Sequence, residues 1–395
     1  MNIAIFGAGI AGLMSAITLR AQGQCCRVYE RSSIAQEAGM GFILVPEGIA
    51  ALESFGVRLA GDVSGTPLKR YQCRDSAGRM VYEQAMPAGS RGIRRRDLTM
   101  ALMRALDGGE AVVFADFEGL DVGEDFHVTG AHLRLHGDSS AVIADLYVGA
   151  EGVNSRTRHA MFPDWPVTPD PVPEFVGLVR CDRAAKWAGN NLNKFHAAEG
   201  GIAFGILPVD DEHVVWYLQF DSQRFPLTAD VMHGDPQHLA RARRSFVEEL
   251  VAAWAHPIPS LVANTDFSRV HLWRPIETDL IPRFHRGNVV LVGDAAHPLS
   301  PFTSQGVSSA IADAIALAEE VDGASSQDHL MQGLERYSAR RHAQCAPYVA
   351  QGRELVQRFL EPLSEDNAVS PIATRSDEAP VLTRTTQRSA FAQEA

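Results

Sequence analysis

Residues 2–30 read NIAIFGAGIAGLMSAITLRAQGQCCRVYE. Residues 2–6 are short, apolar and β-branched enough for a strand. Residues 10–22 have helical character and stop at Gly23, and residues 25–30 form a second strand. This is a βαβ unit of about thirty residues. Its turn, Gly7-Ala8-Gly9-Ile10-Ala11-Gly12, spells G-x-G-x-x-G, and Glu30 closes the next strand eighteen residues after Gly12. Each glycine has a physical task. Gly7 permits the tight turn. Gly9 lacks a side chain, so a pyrophosphate can approach the backbone. Gly12 lets the helix pack on the sheet. The helix N-terminus offers free N–H groups and a positive dipole end to phosphates. Glu30 can accept hydrogen bonds from ribose hydroxyls. The pattern points to a bound dinucleotide without choosing between FAD and NAD.

The rest of the chain organises around this unit. The helix expected over 48–55 ends at Gly56, and another is expected over 95–106, where Leu98, Ala101, Leu102 and Leu106 recur near period 3.6. Several strands are expected between 112 and 148. Residues 166–272 change character. Prolines 166, 169, 171 and 173 open the stretch, strand-like segments follow at 175–179, 202–207 and 213–220, and a helix over 236–255 completes it. Residues 288–292 return to a buried type of strand, followed by a helix over 307–321. The fold class is therefore α/β, with a discontinuous Rossmann-like domain (1–65, 91–165 and 273–330). A second, sheet-rich substrate domain takes 66–90 and 166–272. A C-terminal helical segment follows at 331–365, and 366–395 is expected to be a mobile tail, being rich in Ser, Thr, Ala and Glu.

Composition excludes several classes. A net charge of −12 is a poor match for phosphate backbones, so no nucleic-acid partner is expected. The five cysteines (Cys25, Cys26, Cys73, Cys181, Cys345) form no C-x-x-C pair, so neither a metal site nor a disulfide scaffold is expected. They read as reduced thiols of a cytoplasmic protein. No apolar run reaches the ~18–20 residues of a membrane helix, so no integral membrane segment is expected.

A second motif selects the cofactor. Residues 293–301 read GDAAHPLSP, followed by Gln305-Gly306 and Asp313-Ala314. A strand delivers Asp294 to a loop where its carboxylate can bond ribitol hydroxyls. Pro301 stiffens that loop. The next helix starts near 305–308, and its N–H groups can stabilise negative charge on a reduced flavin. This stretch resembles the second FAD motif of the class A FAD-dependent aromatic-ring monooxygenases, the family of the p-hydroxybenzoate and salicylate hydroxylases. Three further segments resemble the same family. Residues 39–48 (GMGFILVPEG) are similar to its G-x-G-I-x-L-x-P-N stretch. Residues 94–98 (RRRDL) match its R-x-x-L helix start through Arg95. Residues 144–156 (ADLYVGAEGVNSR) resemble its D-L-x-x-G-A-D-G-x-x-S-x-x-R motif. The resemblance covers roughly residues 1–345. It assigns Gly7, Gly9, Ala11, Gly12, Glu30, Arg31, Gly41, Arg95, Asp294, Pro301, Gln305, Gly306 and Val307 to FAD.

The resemblance also implies a reaction. NADPH or NADH reduces the flavin, with no second nucleotide fingerprint needed. Reduced flavin meets O2 to give a C4a-hydroperoxide, which hydroxylates a small aromatic or phenolic substrate. Such chemistry needs a dry cavity more than a catalytic triad. No G-x-S-x-G occurs. By layout, the substrate candidates are His196, Phe204, Ile206, Trp216 and Phe302, with Arg180 as a possible carboxylate partner and His297 as a structural hydrogen-bonding residue. Four positions depart from the family pattern: Glu47 for Asn, Glu151 for Asp, Ser304 for Gly and Ser308 for Asn. Glu47 is a candidate base, because a carboxylate beside a flavin can orient or deprotonate substrate. Competing readings are a flavoprotein oxidase or reductase, a non-catalytic FAD-binding protein, and a halogenase, whose W-x-W-x-I-P signature is missing. The expected assembly is a monomer or homodimer.

Overall fold

The computed structural model describes residues 1–32, 41–59, 63, 65–106 and 111–368. The tail expected over 366–395 lies outside the described residues from 369 onward.

The βαβ unit forms as its pattern dictates. Strand Asn2–Phe6, helix Ile10–Arg20 and strand Cys25–Glu30 follow in order. They seed a six-stranded sheet in the order His285–Arg286, Val289–Leu291, Leu146–Gly149, Asn2–Phe6, Cys25–Glu30, Val112–Phe114. Every pairing is parallel except that of the His285–Arg286 edge. Parallel strands need both faces covered. One face carries helices Ile10–Arg20 and Gly306–Val321, joined where the buried Thr18 hydroxyl donates to the Ala314 carbonyl at 2.9 Å. The other face carries a three-stranded antiparallel sheet (Asp116–Val122, Val128–Leu135, Asp138–Val142), where Phe6 stacks on Phe117 at 4.0 Å.

A second sheet has seven strands. Their order is His271–Trp273, Glu174–Arg180, His213–Phe220, Ile202–Pro208, Asn191–His196, Arg70–Asp75, Met80–Ala85. The pairing of Arg70–Asp75 with Asn191–His196 is parallel, so a segment from the first hundred residues joins a sheet built mostly after residue 170. Alternation gives this sheet two faces. The back face presents Phe175, Phe195, Phe204, Ile206, Trp216 and Phe220 to helices Pro236–Val251 and Ile258–Ala263. The front face presents Leu192, Lys194, His196, Leu207, Val215, Tyr217 and Gln219 to a cavity.

Helix Gln327–Leu360 spans the molecule. Near its start the Tyr337 hydroxyl donates to the Leu291 carbonyl of the first sheet at 2.9 Å. At its far end Val356 and Phe359 pack with Val172 and Ala203 of the second. Among the described residues, no helix is long and apolar enough to cross a membrane.

Candidate active site

The loop after the first strand has the shape its glycines permit. Gly7 has φ +102°, and a Cβ there would fall 2.5 Å from the Ala150 carbonyl oxygen. A Cβ at Gly12 would fall 1.9 Å from the Gly7 carbonyl oxygen, so helix and turn touch only because that position is bare. Gly9 differs: the nearest atom to its missing Cβ is Nη2 of Arg95, 4.0 Å away. That gap is a cradle with a guanidinium on its far side. The helix behind it starts without a side-chain cap and without an acid in its first turn. Its orphan N–H groups therefore face the cavity with the dipole's positive end. Glu30 braces the turn: Oε2 accepts from the Ala8 N–H at 2.8 Å, and Oε1 from the Ser32 N–H at 3.0 Å.

The second motif closes the other side. After strand Val289–Leu291, Gly293 adopts φ +60° and passes so near the first helix that a Cβ would lie 2.8 Å from that of Ala11. Asp294 then faces the cavity. Burial pushes its carboxyl above the usual range, against the pull of His297, Arg95 and Arg158. The loop ends at Ser304, which is left-handed (φ 50°, ψ 30°), and helix Gly306–Val321 begins with neither a side-chain cap nor an acid. Two uncapped helix N-termini thus open into one cavity of about 330 Å³, lined by Gly9 and Ala11 at one and Gln305, Gly306 and Val307 at the other.

Beneath this loop lies a buried charge network. Asp313 Oδ2 accepts from the Gly293 N–H and contacts His297 Nε2, each at 2.6 Å, while Oδ1 accepts from Arg341 Nε at 2.6 Å. Burial alone would lower the His297 pKa, but the Asp313 carboxylate outweighs it and holds the ring well above its usual range, as an imidazolium. His297, Asp313 and Cys345 have ligand atoms within 4.8 Å of one another. Within this cluster Asp313 already accepts from the Arg341 guanidinium and the Gly293 N–H.

The structure sorts the expected site residues. Gly9, Ala11, Gly41, Arg95, Asp294, Pro301, Gln305, Gly306 and Val307 line the cavity, as do His196 and Phe302. Gly7, Gly12 and Glu30 shape the loop from behind, and Arg31 is exposed outside it. Trp216 does not reach the cavity. It lies on the back face, stacked on Phe204 at 5.3 Å and donating Nε1–H to the Thr265 hydroxyl at 2.9 Å. Phe204 and Ile206 share that core, one residue out of phase with the cavity. Arg180 is exposed and paired with Glu212 at 3.0 Å. Glu47 is exposed in the first turn of helix Pro46–Ser54, away from the cavity, where its charge suits the helix dipole. The other departures also find local uses. Glu151 accepts from the Thr157 N–H at 2.8 Å and the Ser155 hydroxyl at 2.8 Å, fixing the start of helix Arg156–Met161. The Ser308 hydroxyl lies 3.5 Å from where a Gly48 Cβ would stand.

Sequence reasoning missed the polar part of the front face: Glu174, Lys194, Tyr217 and Gln219. Glu174 Oε2 accepts from Gln219 Nε2 at 3.1 Å, and burial pushes its carboxyl up to about 7. Burial likewise pushes the Lys194 ammonium down to about 8. Lys194 and His196, two residues apart, share a face of strand Asn191–His196, but Asn191 and Asn193 make the other face polar too.

The family described as "FAD binding domain" matches residues 1–351. This chain belongs to that family. It is 26% identical to an aurachin C monooxygenase/isomerase of Stigmatella aurantiaca, over 89% of this chain and 87% of that one. It is 27% identical to a 3-amino-4-hydroxybenzoate 2-monooxygenase of Streptomyces cremeus, over 92% of this chain and 88% of that one. Its fold is similar to that of HpxO of Klebsiella pneumoniae, solved with FAD and uric acid (TM-score 0.75, 23% identity, 91% of this chain and 88% of that one). FAD is the cofactor, and the residues present fit it. The bare Gly9 cradle facing Arg95 suits a pyrophosphate. The second free helix terminus suits the flavin's electron-accepting edge.

Proposed function

We propose that this FAD-dependent monooxygenase hydroxylates a small aromatic or phenolic substrate, consuming NADPH or NADH. One observation carries the reading: a single cavity runs from the two uncapped helix N-termini to the front face of the seven-stranded sheet. Cofactor and substrate therefore share one enclosure, and the sheet roofs it. When bound, FAD supplies the redox chemistry, taking electrons from the nicotinamide and passing them to O2.

The chain's own residues do the rest. The N–H groups at Ile10–Ala11 and the Arg95 guanidinium would hold the pyrophosphate of bound FAD, and Glu30 and Asp294 would take its sugar hydroxyls. The N–H groups at the start of helix Gly306–Val321 would stabilise negative charge on the reduced flavin. Gly41, Pro301, Gln305 and Val307 shape the walls. Leu192, Leu207 and Val215 exclude water from one end of the roof. His196 and Phe302 touch substrate. The domain division read from the sequence suits this arrangement, with the sheet-rich part as the substrate domain.

Incubation with NADPH or NADH, 18O2 and a panel of aromatic acids and phenols tests the reading. One labelled oxygen atom in the product supports it. Hydrogen peroxide equal to all the nicotinamide oxidised, with no labelled product, points instead to an oxidase. A purified protein without flavin absorbance that takes up no FAD sinks it entirely.

A further inference from the structure

Strand register arranges the cavity roof in rows. One row runs His196, Ala203, Gln219, Glu174 and the next runs Lys194, Gly205, Tyr217, Val176. The third, Leu207 beside Val215, is apolar. Gly205 is bare for a reason: a Cβ there would fall 2.0 Å from the Tyr217 ring, which lies across it. The roof is thus apolar at one end and polar at the other.

The polar end holds a cation. Lys194 Nζ sits 4.9 Å from the centre of the Phe302 ring and 5.9 Å from those of Tyr217 and Phe359. Rings hold an ammonium by their negative faces. Among the described residues it makes no hydrogen bond and no ion pair. Two neighbours are also incomplete. Nε2 of His196 and Oε1 of Gln219 are buried, and each lacks a hydrogen-bond partner. Gln219 is oriented by the donation of its Nε2–H to Glu174, which aims its other atom away. Buried polar atoms are ordinarily paired. Two without partners, with an unpaired ammonium beside them at one end of one cavity, mark a place where a ligand brings the missing atoms.

We propose that Lys194, His196 and Gln219 form a recognition subsite for an oxyanion on the aromatic substrate, a carboxylate or an acidic phenolate conjugated with the ring. Lys194 supplies the counter-charge. His196, kept neutral by burial and by Lys194 beside it, can donate Nε2–H to an oxygen of the anion. Gln219 Oε1 accepts from an adjacent O–H or N–H. The flat ring extends toward Leu207 and Val215. Among the described residues, Glu174 is the acid that lines this end of the cavity. Its burial favours the protonated form, and an arriving anion strengthens that preference, so it does not repel the ligand. The inference deepens the hydroxylase reading by naming what the roof recognises, and it rests on that reading only for which ring is oxidised.

The test reads binding rather than turnover. FAD-loaded protein is titrated with benzoate, salicylate and 1-naphthoate, and with the neutral amide of each, following the flavin absorbance. At least one acid is expected to bind at least about tenfold tighter than its amide, with that preference abolished in Lys194→Met. Methionine keeps the apolar contacts with the three rings, and flavin content reports that the variant is folded. His196→Phe is expected to weaken the acid more than the amide. If no acid outbinds its amide, or if Lys194→Met keeps the preference, the subsite is wrong. The two readings fail separately. Lys194-dependent binding without labelled product removes the hydroxylase and keeps the subsite. Labelled product from neutral rings, undisturbed by Lys194→Met, removes the subsite and keeps the hydroxylase.

Discussion

Ser304 is a serine in a backbone conformation that favours glycine, with φ 50° and ψ 30°. A left-handed residue with a Cβ costs about 1–2 kcal/mol, and glycine adds unfolded-state entropy worth roughly half of that. Ser304→Gly should therefore leave stability within about 1 kcal/mol of wild type. Ser304→Val, branched at Cβ, should lose about 2 kcal/mol or more. Urea unfolding of the FAD-loaded protein measures both, and a valine variant as stable as wild type would refute the strain. Glu174 gives a residue-scale prediction in pH. Burial raises its folded pKa from 4.5 to about 7. The folded state thus favours the protonated carboxyl. The stability this confers is full below pH 4.5 and is lost as pH rises through 7. Glu174→Gln does not ionise, so relative to wild type it should gain about 1–3 kcal/mol between pH 5 and pH 8. Parallel unfolding curves for the two proteins across that range would contradict the assignment.

The elements that matter most are two turns and two helix starts. Gly9 and Gly12 belong to one motif but do different work, and alanine at each separates them. Gly12→Ala drives a Cβ into the Gly7 carbonyl, 1.9 Å away, and should cost about 3 kcal/mol of stability even without cofactor. Gly9→Ala meets nothing nearer than 4.0 Å, so the apoprotein should melt as wild type does. Its FAD affinity should fall at least about tenfold, because the methyl occupies phosphate space. Equilibrium dialysis with FAD and apoprotein melting distinguish the two outcomes. This unit was legible in the sequence because everything it needs is local: strand, turn, helix and terminal acid within thirty residues. The helices expected over 95–106 and 307–321 formed within a residue or so for the same reason. The roof was not legible. Strand Ile202–Pro208 is buried along its whole length, so alternation offers no contrast between its faces. Aromatic size then pointed to Phe204 and Trp216, which fill the back core. The parallel pairing of Arg70–Asp75 with Asn191–His196 links segments more than a hundred residues apart, and no local pattern encodes it. Lys194, the residue that gives the roof its charge, sits in a strand with polar residues on both faces, so its own face did not stand out.

At the scale of the whole molecule, Asp313 joins three parts of the chain around the cavity. Its own helix begins at the flavin-facing terminus, Gly293 and His297 come from the loop beside it, and Arg341 comes from the long helix Gln327–Leu360. Further along, that helix reaches the cavity through Phe359 and packs Gly352 against Ser300, where a Cβ would fall 2.9 Å from the serine's own. The network thus ties loop 293–305 to the helix that carries Phe359 to the cavity wall. Removing the carboxylate alone leaves the buried Arg341 charge without its partner. Asp313→Leu should cost about 3–5 kcal/mol, whereas Arg341→Met alone leaves the Asp313–His297 pair and should cost less. The double variant Asp313→Leu/Arg341→Met, with apolar groups replacing both charges, should recover part of the loss, because desolvation of an ion pair offsets much of its attraction. A double-mutant cycle on urea unfolding measures the coupling. Two losses that simply add would show that the carboxylate and guanidinium act independently. If the network also sets the register of loop and helix, a stability-matched core variant elsewhere should keep FAD affinity while Asp313→Leu/Arg341→Met weakens it. Equal FAD affinity in those two proteins would confine the network to holding the fold.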